Sequence, residues 1–95
     1  MKALTKELQD KITPQNALEI LTEGNERFVN KTQINRDFLM QVEQTSSGQF
    51  PLAAVLGCID SRVPSEHIFD LGIGDIFNVR VAGNIINEDI LGSLE

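Results

Sequence analysis

The sequence predicts an α/β fold in which N-terminal helices precede the first strand–helix–strand unit of a parallel β-sheet. Before residue 48, apolar residues recur at helical spacing, whereas residues 52–57 form a short apolar run typical of a buried strand. A second such run follows at 76–81, after a short segment that begins with Pro64, a residue favoured in the first turn of a helix. A unit of this length implies parallel strands joined by a right-handed crossover.

The N-terminal part is predicted to contain two helical stretches. Residues 3–30 show an apolar stripe, and Thr13 and Pro14 restart it as a cap and a first-turn residue. Residues 36–46 are predicted to form a second, shorter helix. The residues of this helix expected to face inward are Phe38, Leu39 and Val42.

Two units are expected along the chain: a helical arm at 1–48 and the start of an α/β core at 49–95. A last helix is predicted to begin near Asn87, and no stop signal precedes Glu95. We therefore expect a truncated chain with one incomplete domain. Two strands would leave a sheet edge and an apolar face uncovered, which predicts a marginally stable or oligomeric product.

Composition excludes several classes of protein. With 41% hydrophobic residues the chain is not expected to be disordered, and a net charge of −6 argues against a nucleic-acid surface. No apolar stretch reaches the length of a membrane span, and the first residues do not resemble a secretory signal. A single cysteine cannot form an internal disulfide, so a reducing cytoplasm is the expected location.

The chemistry is concentrated in residues 58–62, directly after the first predicted strand. Cys58 offers a thiolate, which is a good zinc ligand. Along an extended chain the alternate residues Asp60 and Arg62 would point the same way as Cys58, so Asp60 could be a second ligand or a base beside the metal. Arg62 could hold Asp60 in a bidentate ion pair. Catalytic zinc normally has three protein ligands, and His67, in the predicted helix, is expected to be solvated rather than to complete the site.

This segment resembles the Cys-x-Asp-Ser-Arg signature of the β-class carbonic anhydrases, a family of zinc enzymes. The resemblance covers the chain from about Asn16 to its last residue and about half of a family member. The flanking residues that match are Val63, Pro64, Glu66, Gly74-Asp75, Ile76-Phe77, Arg80, Ala82-Gly83-Asn84 and Gly92–Glu95. The second signature of the family, His-x-x-Cys, is absent from the sequence.

The resemblance implies reversible hydration of CO2 to bicarbonate by a zinc-bound hydroxide. Cys58 would be a Zn²⁺ ligand, and Asp60 would pair with Arg62 or move onto the metal as a fourth ligand. Gln49 would hydrogen-bond bicarbonate, and Phe77 would line the active-site cleft. The cleft lies at a dimer interface in the family, which implies a homodimer or a higher homo-oligomer. Without the missing ligands, the chain alone is expected to bind zinc weakly and to be inactive.

Other interpretations remain open. The helices at 3–46 could pair with a full-length subunit in a non-catalytic complex. A related zinc hydrolase acting on CS2 or COS would share the same motif. A nucleotide site at Gly72-Ile73-Gly74 is disfavoured, because a third glycine before a helix is missing.

Overall fold

The computed structural model describes residues 3–95, and over this range it confirms the predicted α/β fold class. β1 and β2 form a two-stranded parallel sheet, in register from Ala53 opposite Ile76 to Gly57 opposite Arg80. None of the described helices combines the length and apolarity needed to cross a membrane. In chain order the elements are α1 (Lys6–Lys11), α2 (Pro14–Val29), α3 (Phe38–Gln44), β1 (Ala53–Gly57), α4 (Ser65–Ile68), β2 (Ile76–Arg80) and α5 (Glu88–Leu94).

Side-chain caps set the beginnings of α1, α2, α3 and α5. The Thr13 hydroxyl accepts a hydrogen bond from the Asn16 amide at 3.1 Å, and the Asn16 side chain bonds the Thr13 amide in return. Pro14 occupies the first turn of α2, as expected. The helical stretch predicted at 3–30 is therefore two helices, with a break before Thr13. Asn87 caps α5, in agreement with the predicted start of the last helix.

The prediction that Phe38, Leu39 and Val42 face inward was wrong. Leu39 is 81% exposed, whereas Gln41 on the opposite side of α3 is 1% exposed. The Gln41 Oε1 atom accepts a hydrogen bond from the Ile73 amide at 3.0 Å. A buried side-chain amide needs hydrogen-bond partners, and the loop before β2 supplies one to Gln41. Helix α3 therefore turns this polar side toward the loop and leaves its apolar side in solvent.

The helical arm, residues 3–48, is attached to the rest of the chain by polar groups more than by apolar burial. The Gln9 side chain donates to the Pro51 carbonyl at 2.8 Å, and the Asn25 side chain donates to the Ile68 carbonyl at 3.0 Å. The buried apolar residues in the described range are few: Ala3, Ala17, Leu71 and Ile76. The boundary at residue 48 stays a prediction.

A buried cluster around Asp70 forms the firmest part of this attachment. Arg27 donates to the Asp70 carboxylate at 2.5 Å and Arg36 donates to it at 2.8 Å. The Ile34 amide donates a third hydrogen bond at 3.0 Å. Burial alone would raise the pKa of Asp70, but the bonds from Arg27, Ile34 and Arg36 outweigh it and hold the pKa below its ordinary value.

Candidate active site

The motif residues lie in a loop that turns immediately after β1. The Arg62 amide donates to the Asp60 side chain at 2.8 Å, and the Val63 amide donates to the Asp60 carbonyl at 3.2 Å. The sequence-based view of an extended chain with Cys58, Asp60 and Arg62 at alternate positions was therefore wrong, because the chain bends at Ile59 and turns at 61–62. Local side-chain-to-backbone bonding by Asp60 shapes the loop instead.

The expected ion pair between Asp60 and Arg62 is present. The Arg62 Nε atom lies 3.0 Å from Oδ1 of Asp60, and its Nη2 atom lies 2.7 Å from Oδ2. The Arg62 guanidinium, followed by the Arg62 amide, lowers the pKa of Asp60 below its ordinary value. Asp60 is thus a carboxylate at neutral pH, and its oxygens can accept hydrogen bonds but not donate them.

The Cys58 thiol is half-buried beside the turn that follows β2. The Gly83 amide donates to its Sγ atom at 3.4 Å. The Gly83 amide, followed by the Asp60 amide, lowers the pKa of Cys58. Gly83 has a φ of 72°, a conformation that glycine adopts without steric cost, so the turn can aim its N–H at the sulfur. The hydrogen bonds from the Gly83 and Asp60 amides thus favour the thiolate, the form that binds metals.

The described residues fit one zinc ligand rather than a complete zinc site. Within residues 3–95, no group of three His, Cys, Asp or Glu side chains is placed to hold a metal ion. His67 lies on α4 with its side chain in solvent, as the sequence predicts. A catalytic zinc site with three protein ligands is therefore not assembled among these residues.

Gln49 and Phe77 lie away from the motif loop. Gln49 is exposed after α3 and lines a depression with Thr45 and Gly74. Phe77 stands on β2, is 49% exposed, and lines a different depression beside Leu94. The two depressions are different, and neither is lined by Cys58, Asp60 or Arg62. Their predicted roles in substrate binding remain predictions.

Sequence reasoning named Arg80 and Gly83 as matches to the family but gave them no role. In the structure, Arg80 donates to the Cys58 carbonyl at 2.8 Å and to the Asp60 carbonyl at 2.5 Å. The available signal was the position of Arg80 at the end of β2. Parallel strands bring their carboxyl ends to one edge of a sheet, so a residue ending β2 lies beside the loop that follows β1.

The thiol and the fixed carboxylate thus lie at the carboxyl end of a parallel strand, where ligands and catalytic groups collect in α/β proteins. The family model described as carbonic anhydrase matches residues 53–95. The chain thus carries a segment of the β-class carbonic anhydrase family, which confirms the family recognised from the motif.

Curated relatives extend this similarity toward the N-terminus. The chain is 46% identical over 83 residues to carbonic anhydrase 2 of Mycobacterium tuberculosis H37Rv, and 42% identical over 85 residues to a carbonic anhydrase of Mycolicibacterium smegmatis. Each alignment covers 86% of this chain and 40% of the relative. This chain is also 36% identical over 53 residues to beta carbonic anhydrase 1 of Caenorhabditis elegans, and that alignment covers 56% of the chain and 20% of the C. elegans protein. The chain therefore spans less than half the length of these relatives.

Proposed function

We propose that the loop carrying Cys58, Asp60 and Arg62 forms part of a carbonic anhydrase active site, in a protein that hydrates CO2 reversibly to bicarbonate. The observation that supports this most strongly is the bidentate Arg62–Asp60 pair next to a half-buried thiol with a lowered pKa. The similarity to proteins named carbonic anhydrase supports the same reaction.

In this proposal each of the three motif residues has a distinct role. Cys58 is one ligand for zinc, and the remaining ligands come from outside the described residues. Asp60 accepts a hydrogen bond from the attacking water or hydroxide and so fixes its orientation, because its low pKa leaves it without a proton to donate. Arg62 keeps that carboxylate ionised and correctly placed.

The two residues proposed to contact substrate serve the active site of a neighbouring subunit, not the site of their own chain. Gln49 and Phe77 are exposed and line depressions that do not include Cys58 of their own chain. We propose that Gln49 hydrogen-bonds bicarbonate and that Phe77 lines the cleft of a partner's site, in a homodimer or higher homo-oligomer. Solvent exposure of both side chains is compatible with a second copy approaching them.

A chimera tests this function. Residues 1–95 are joined to the part of the M. tuberculosis relative that follows its matched region, and CO2 hydration is measured by stopped flow. The chimera is expected to turn over CO2, and Cys58→Ser is expected to abolish turnover. Asp60→Asn is expected to reduce it about 100-fold, because the amide replaces one acceptor oxygen with a donor and removes the charge that Arg62 holds in place. The 95-residue chain alone is expected to show negligible turnover.

Asp10→Asn is the matched control. Asp10 forms an exposed ion pair with Lys6 at 2.7 Å on α1, so its substitution removes a similar pair away from the motif. Turnover of the Asp10→Asn chimera is expected to be unchanged. The proposal fails if a folded, zinc-loaded chimera is inactive, or if the isolated chain matches the chimera in turnover.

A second candidate function is a non-catalytic pairing with a complete subunit. Large apolar side chains on the arm lie in solvent, and Leu39 and Val29 are among the most exposed. If the arm binds a complete subunit, size-exclusion chromatography with light scattering will show a stable complex of the chain with the chimera. Leu39→Glu is expected to weaken that complex, whereas no complex at micromolar concentration would exclude this function.

A further inference from the structure

A guanidinium from the second strand bridges the loop that carries the motif. Arg80 ends β2 and lies in register with Gly57, the last residue of β1. Its Nε atom donates to the Cys58 carbonyl at 2.8 Å, and its Nη2 atom donates to the Asp60 carbonyl at 2.5 Å. The same Nη2 atom also lies 3.3 Å from the Val63 carbonyl. One side chain therefore reaches the beginning, the middle and the end of the loop.

The other hydrogen bonds of the loop do not make this attachment redundant. The bonds from the Arg62 and Val63 amides both end on Asp60, so they close the turn without fastening it to the sheet. The Gly83 amide bonds the Cys58 sulfur from the β2 side, but at 3.4 Å to a weak acceptor. The bonds from Arg80 are shorter and come from a charged donor, which makes them the stronger attachment.

Within residues 3–95, Arg80 forms no ion pair. Among residues 3–95, the arginines at 27, 36 and 62 each pair with a carboxylate, whereas Arg80 donates to carbonyl oxygens. A planar guanidinium with several donors at fixed angles suits this bridging of separate carbonyls. A lysine at this position would keep the charge, but its single nitrogen could not reach all three carbonyls at once.

We propose that Arg80 is a positioning residue for the hydration reaction. By fastening the backbone at Cys58 and Asp60 to the end of β2, it fixes the thiol and the carboxylate relative to each other. The catalytic meaning of this attachment rests on the proposed function. The attachment itself can be measured on the 95-residue chain without metal and without turnover.

The test is the backbone order parameter of residues 59–63, measured by ¹⁵N relaxation on the full chain. In the unsubstituted chain these amides are expected near 0.85, the value of a rigid backbone. In both Arg80→Lys and Arg80→Gln they are expected to fall below about 0.6, while the amides of β1 stay rigid. Asn78→Ala is the control, because Asn78 lies on the same strand but its side chain bonds Glu66 on α4.

Each outcome decides the proposal. Unchanged order at 59–63 in both variants would overturn it, and so would full rigidity in Arg80→Lys, because charge alone would then suffice. If Arg80→Gln loosens the whole chain, the lysine variant decides: local loosening supports the proposal, and uniform loosening overturns it. The loop order and the turnover of the chimera are separate measurements. If the loop loosens as expected but the chimera is inactive, the attachment by Arg80 is supported and only the proposed hydration reaction is contradicted.

Discussion

The chain contains two aspartate–arginine assemblies that use the same chemistry in opposite surroundings. At the attachment of the arm, the Asp70 carboxylate is 6% exposed and takes bonds from Arg27 and Arg36. In the motif loop, the Arg62 side chain is 86% exposed and pairs with Asp60 alone. Both carboxylates have a lowered pKa, but the energetic consequences differ because water screens the exposed pair and not the buried one.

The difference separates a structural role from a chemical one. Removing one partner of a buried pair strands a charge in a poorly solvated place, so the fold depends on both partners of the Asp70 cluster being present. An exposed pair contributes little to stability, so the geometry of Asp60 and Arg62 is better explained by what the carboxylate presents to solvent. Three predictions test this contrast.

The largest effect is expected for Asp70→Asn. The substitution keeps a side chain that tolerates the positive φ of 45° at this position, but it leaves Arg27 and Arg36 without a counter-charge. We expect the free energy of unfolding, measured in urea, to fall by about 3 kcal/mol. Asp60→Asn is the matched variant in the exposed pair and should leave the urea midpoint almost unchanged. Equal midpoints for the two variants would remove the contrast.

A smaller loss is expected for Gly24→Ala, where α2 lies against the backbone near Asp70. A Cβ at Gly24 would lie 1.7 Å from the Phe69 carbonyl oxygen, so α2 must move away. We expect a loss of about 2 kcal/mol despite the better helix propensity of alanine. Gly92→Ala in α5 is the control, because a Cβ there meets nothing within 4 Å. It should stabilise the chain by about 0.5 kcal/mol, and similar changes at both sites would show that the close approach is not real.

The smallest effect concerns acid stability. Because the folded pKa of Asp70 lies below its ordinary value of 3.8, its stabilisation is complete above that value and is lost as the pH falls toward the folded pKa. The contribution of Asp60 to the free energy of unfolding is also lost as the pH falls, but salt screens its exposed ion pair with Arg62. In 1 M NaCl the acid-induced loss should therefore persist in the unsubstituted chain and in Asp60→Asn, and should be reduced in Asp70→Asn. If the acid-induced loss of stability disappears in salt, it arises from the exposed Asp60–Arg62 pair and not from Asp70.

Much of the fold was predictable because its signals are local. Thr13 and Pro14 mark a helix start, two short apolar runs mark the strands, and the motif at 58–62 follows the first of them. The Asp60–Arg62 pair was also predictable, since the two residues are neighbours in the chain. These features require no knowledge of which distant segments meet.

The rest depends on contacts between segments far apart in the sequence. Asp70 meets Arg27 across 43 residues, and Arg80 meets the Cys58 carbonyl across 22. Gln41 is buried and bonds the Ile73 amide, 32 residues away, which is the reverse of the orientation that the apolar pattern of α3 indicates. The spacing of apolar residues within one helix does not indicate a hydrogen-bond partner in a distant segment.

The most direct test of the central claim, that this chain holds one zinc ligand and not a complete site, is zinc stoichiometry. The purified chain is reconstituted with Zn²⁺, freed of loosely bound metal and compared with Cys58→Ala. We expect no stable zinc above the level of the variant. One zinc per chain, lost in Cys58→Ala, would contradict the claim and would mean that ligands are recruited within the chain or from a second copy.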